Sequence, residues 1–98
     1  MSPVTALLLL IAAPSFAQSP VPAGRVSPFV VFDSAYQRPR RLWVYTPPGF
    51  TAGAATTYPL IVAFDGGEYR DTMPLPQVLD TLLATHTAPA FIAVLIDD

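Results

Sequence analysis

The sequence predicts an α/β fold, and three observations carry that prediction. The run Leu60-Ile61-Val62-Ala63-Phe64 is apolar without alternation, which suits a strand covered on both faces, as in a parallel sheet. A second such run, Phe91-Ile92-Ala93-Val94-Leu95-Ile96, closes the sequence. Between them Leu75, Val78, Leu79, Leu82 and Leu83 recur at helical spacing and form one face. Strand, helix, strand in that order is the unit of a parallel sheet with a right-handed crossover.

The elements follow in chain order. Residues 4–13 are an apolar run of secretory length, shorter than the roughly twenty residues that span a bilayer. Ser15-Phe16-Ala17 places small residues at the two positions that signal peptidase inspects. Residues 1–17 are therefore expected to be a signal peptide, whose removal would leave Gln18 first and send the protein to the periplasm or the medium. Its start, Met1-Ser2-Pro3, carries no basic side chain. Residues 18–26, with Pro20, Pro22 and Gly24, read as an extended linker, and residues 27–98 as the N-terminal part of a domain.

Within that part, residues 29–34 are β-branched and aromatic, and Arg41-Leu42-Trp43-Val44-Tyr45 alternates with period two, so the two should pair as a hairpin across residues 35–39. Thr46-Pro47-Pro48-Gly49 ends the second strand, because proline cannot donate to the ladder and Pro-Gly favours a turn. Residues 51–57 are small and polar, a surface loop. After Phe64, Asp65-Gly66-Gly67 should let the backbone turn sharply into a site loop at the carboxyl end of the strand, where ligands gather in open α/β sheets. The helix is expected from Met73 or Pro74 to Thr85, with Thr72 as its cap and Pro74 and Pro76 tolerated in its first turn.

Composition excludes several classes. Over half of the 98 residues are hydrophobic, so the chain is no disordered tail. A net charge of −2, with five arginines and no lysine, leaves no electrostatic footprint for nucleic acid. Arg38, Arg40 and Arg41 read as a solvated strand edge. The absence of cysteine removes disulfides, thiolate metal sites and a lipoprotein anchor. Without the leader about eighty residues remain, a size at which only about 60% of the unfolded surface is buried. The chain also stops directly after an apolar strand, where a crossover helix normally follows. It is expected to be the first piece of a longer protein and to fold poorly alone.

Taken in order, WVYTPPGF, a small polar loop, YPLIVAFDGGEY, a helix containing VLDTLL and a strand ending in ID resemble the N-terminal third of the putative-esterase (enterochelin-esterase-like) branch of the α/β hydrolases. The resemblance covers residues 26–98. It implies a partial α/β-hydrolase sheet, an N-terminal hairpin and then strand, helix and strand, truncated before the nucleophile elbow. It further implies that the backbone N–H of Gly67 forms half of an oxyanion hole, with Glu68 and Tyr69 facing the substrate. The plain alternative is a tight exit turn in which Asp65 accepts a backbone N–H. The implied activity is that of an exported serine esterase acting on a small-molecule carboxylic ester through an acyl-enzyme, with no cofactor and no metal. None of the serines lies in G-x-S-x-G, so the 98 residues themselves should be inactive. His86, the one histidine, is expected at the helix end, capping or solvated. A non-catalytic binding protein on the same fold and an acyltransferase of the same branch are the alternatives.

Overall fold

The structure is a computed structural model that describes residues 20–97. The expected signal peptide, residues 1–17, lies outside the described residues. Six elements follow one another: strands β1 (Arg25–Asp33), β2 (Arg38–Thr46) and β3 (Leu60–Phe64), helices α1 (Gly66–Asp71) and α2 (Leu75–Ala84), and strand β4 (Ile92–Ile96). They form one mixed sheet in the order β1-β2-β4-β3. β1 and β2 are the expected hairpin, antiparallel from Arg25 opposite Thr46 to Asp33 opposite Arg38. β3 and β4 are parallel, and β4 inserts between β3 and β2, antiparallel to the latter.

The hairpin is longer than its apolar run. β1 begins at Arg25, taking the last two residues of the segment read as linker, and Pro28 is accommodated because β1 is an outer strand. Its turn is built by Asp33, whose carboxylate accepts the N–H groups of Ala35 at 3.0 Å and Tyr36 at 3.2 Å while pairing with the Arg40 guanidinium at 2.8 Å. The hydrogen bond from Arg40 holds the Asp33 carboxyl below its ordinary range, helped by the two amides and opposed by desolvation. A lowered value in the folded state means that this contribution is present above the unfolded carboxylate pKa and is lost as pH falls through the folded one. Acidification below about pH 4 is therefore expected to loosen the turn first. Amide exchange at Ala35 and Tyr36 followed by NMR checks this, and Asp33→Asn should flatten the pH dependence.

The second strand ends as predicted. Phe50 N–H donates to Pro47 O at 3.1 Å, and Gly49 takes φ 82°, the position that a type II turn reserves for glycine after Pro48. The rings of Phe50 and Tyr58, 5.6 Å apart, then close the base of the polar loop.

The two faces of the sheet differ. Trp43 and Tyr45 of β2, Ala93 and Leu95 of β4 and Leu79 of α2 make the buried core, with Ile61 and Ala63 packed against it, so both helices lie on one face. On the other, the register aligns Phe29, Leu42, Ile96 and Phe64 in one row across all four strands. Here Leu60, Val62 and Phe64 are 60%, 48% and 62% exposed. Within the described residues no element packs on that side of β3.

α2 matches its apolar periodicity, with a rotation. Its most buried residues are Pro76, Leu79 and Asp80, whereas Val78 is exposed. Pro74 is the N-cap and Thr72 instead terminates α1, donating its N–H to Glu68 O at 2.9 Å. At the other end His86 adopts φ 57°, and its N–H donates to Leu83 O while that of Thr87 donates to Leu82 O. This is a Schellman motif, so the backbone of His86 closes the helix and its side chain is exposed.

Candidate active site

Because β3 and β4 are parallel and in register, Phe64 opposite Ile96, their carboxyl ends share one edge of the sheet. The antiparallel β2 brings its N-terminal half to the same edge, where Asp97 N–H donates to Arg41 O at 3.0 Å. The chain leaves β3 at Asp65 and enters α1 directly. The expected site loop is corrected here: Gly66 and Gly67 are helical, and the left-handed residue of the exit is Asp65, at φ 59° and ψ 47°. The Asp65 carbonyl accepts the N–H groups of Glu68 at 2.9 Å and Tyr69 at 3.3 Å.

The two glycines serve different ends. A Cβ on Gly66 would lie 2.7 Å from the carbonyl carbon of Leu95 and 2.9 Å from the Ile96 nitrogen, so glycine is required for α1 to touch the backbone of β4. A Cβ on Gly67 would meet only the Asp97 Oδ1, at 3.9 Å. The Gly67 amide sits in the first turn of α1, where N–H groups have no intrahelical acceptor, and the residue is half-buried. Of the other two expected substrate-facing residues, Glu68 is exposed and Tyr69 packs against the hydrophobic core.

Around this turn the structure gathers groups that the sequence left scattered. Asp97 is held by Arg41, 2.8 Å from its Oδ2, and its carbonyl accepts a long bond from Arg40 at 3.4 Å. Arg70, one turn beyond Gly67, lies 4.5 Å from the Trp43 ring centroid and Arg41 lies 5.5 Å from it. Arg70 also pairs with Asp71 at 2.7 Å, which holds the Asp71 carboxyl below its ordinary range. The arginine cluster lies on the part of β2 that runs past its pairing with β4, with Arg38 and Arg41 exposed, and Arg40 and Arg41 bind Asp33 and Asp97. A signal for the Arg41–Asp97 pair was available only from strand order, since 56 residues separate the two.

Farther from the edge, the Asp80 carboxylate, 8% exposed, accepts the Tyr45 hydroxyl at 2.7 Å and the Gly24 N–H at 3.0 Å on the same oxygen. Burial first, and the bond to Asp80 second, push the Tyr45 hydroxyl pKa well up. Of the described serines, Ser27 lies in β1 and Ser34 in the hairpin turn, so neither stands on a strand-to-helix exit. Among the described residues no helix is long and apolar enough to cross a membrane.

These features define a partial α/β fold, and solved structures share it. A ferulic acid esterase superposes with a TM-score of 0.67 at 20% identity, over 76% of this chain and 31% of its own. Nearer in sequence are two structures from Shigella flexneri. The enterobactin esterase FES in the presence of enterobactin gives a TM-score of 0.65 at 28% identity over 78% of this chain. The enterochelin esterase gives 0.58 at 30% identity over 82%. The structural neighbours are thus enterobactin, enterochelin and feruloyl esterases, the branch that the sequence motifs resemble. The chain spans 19% of the length of either Shigella structure. No protein-family profile and no curated protein sequence matches it.

Proposed function

We propose that the chain is the N-terminal part of an exported serine esterase that cleaves a small-molecule carboxylic ester through an acyl-enzyme. The observation that carries this reading is the exit of β3, where a glycine amide in the first turn of α1 stands at the carboxyl edge of a parallel pair, on a fold similar to that of esterases. In this reading Gly67 N–H donates to the carbonyl oxygen of the ester as it becomes an oxyanion, and Glu68 lines the mouth. The nucleophile, its base and the acid come from sequence beyond residue 98, and residues 1–17 direct export. Substrate, product and proton traffic then need no metal.

Gly67→Pro tests the assignment, since it deletes the donor without adding a polar group. Proline is tolerated at this second helical position, as Pro76 shows in α2. In the full-length protein the variant is expected to lose about a hundredfold to a thousandfold in kcat on an aryl ester, with KM little changed. Full-length protein that neither hydrolyses aryl esters nor is labelled by a serine-directed fluorophosphonate would overturn the esterase reading.

A further inference from the structure

Beside the Gly67 turn, a groove of about 460 Å³ runs between β1 and α1 on the helix side of the sheet. Its floor is apolar, made by Val26, Pro28 and Val30 of the outer strand and by the indole of Trp43. Its rim is cationic, made by the guanidiniums of Arg41 and Arg70, both held against that same indole. Among the described residues the β1 part of the floor is open to solvent, Val30 being 66% exposed, while the Trp43 indole is buried beneath the two guanidiniums. We infer that this groove is a binding site for an apolar carboxylate, the body of the ligand resting on β1 and its anion received by Arg70 and Arg41.

Three features favour that chemistry. Arginine stacked on an aromatic face keeps its N–H edge free for a planar anion, and a carboxylate matches that edge in bidentate fashion. The present partners leave donors over. Arg70 binds the neighbouring Asp71 through Nε and Nη2, at 2.8 Å and 2.7 Å, which leaves the donors of its Nη1 side for an incoming carboxylate. Among the described residues Arg41, 68% exposed, reaches the Asp97 carboxylate through Nη2, leaving other donors on the guanidinium. An uncharged ligand would gain the floor but not the rim. The inference goes beyond the acyl-transfer reading and stands without it, because it concerns equilibrium binding.

Calorimetric titration of the full-length protein with cyclohexylacetate and with cyclohexylacetamide decides the matter. The acid is expected to bind about tenfold or more tightly than the amide, the size of one charge-assisted contact. Arg70→Gln should abolish that preference, Arg70→Lys should keep part of it, and added salt should shrink it. Equal affinity for acid and amide, binding of neither, or an undiminished preference in folded Arg70→Gln would overturn the assignment. Ester hydrolysis is read in none of these arms, so failure here leaves the esterase reading to its own test.

Discussion

Asp80→Ala is expected to lower folding stability by about 2 to 4 kcal/mol, because it strands the buried Tyr45 hydroxyl and the part-buried Gly24 N–H at once. The Tyr45 hydroxyl and the Gly24 N–H both converge on Asp80 Oδ1, and the surroundings are the core itself. Gly24 has no room to rearrange: a Cβ there would already lie 2.4 Å from Thr46 O and 2.6 Å from Tyr45 Cε1. Urea denaturation of the full-length protein gives the magnitude. Asp80→Asn, which keeps an oxygen in place, should cost distinctly less. Tyr45→Phe should cost less in the Asp80→Ala background than alone, since the shared bond is lost only once. The same cluster sets a pH limit. A tyrosine pKa raised in the folded state contributes stability that is complete below the unfolded value of about 10 and declines as pH rises above it. An alkaline stability profile that is unchanged in Tyr45→Phe would sink this account.

The second large effect is expected at Gly66. On helix propensity alone, Gly66→Ala should stabilise α1 by up to about 1 kcal/mol. The packing predicts the opposite sign. The added methyl meets the Leu95 carbonyl carbon and oxygen and the Ile96 nitrogen within 3 Å, and these are backbone atoms of an inner strand that cannot rotate away. α1 must therefore lift from β4, at a net cost of about 1 to 3 kcal/mol. Any gain in urea midpoint would mean that α1 does not touch β4 as described. Under the proposed chemistry, kcat should also fall in this variant, through displacement of the Gly67 amide.

Much of this architecture was legible in local patterns. The alternation of residues 41–45 named β2 as a strand, and Pro48-Gly49 named the turn that ends it. The apolar run at residues 60–64 named a strand parallel to the last one. What could not be read locally was set by elements distant in sequence. Two glycines after an acid look like a sharp bend, yet the bend is at Asp65, and glycine at 66 answers the nearness of β4 thirty residues on. Asp80 reads as a polar break in VLDTLL until Tyr45 and Gly24 arrive opposite it. In the candidate site, Gly67 was reached through the resemblance, while the Arg41, Trp43, Arg70 and Asp97 grouping required the register of β2 against β4.

The position of β4 has a consequence for how the protein is made. A ribosome delivers the hairpin first, β3 second and β4 last, but β4 is the strand that joins the other two. Until Ile92–Ile96 has cleared the exit tunnel, the hairpin and β3 have no ladder between them, and each shows an unpaired apolar strand to the cytosol. Closing the sheet then requires contacts spanning more than fifty residues, the slow, non-local kind. The nascent chain thus passes through a stage in which holding chaperones compete with strand insertion for the same polypeptide.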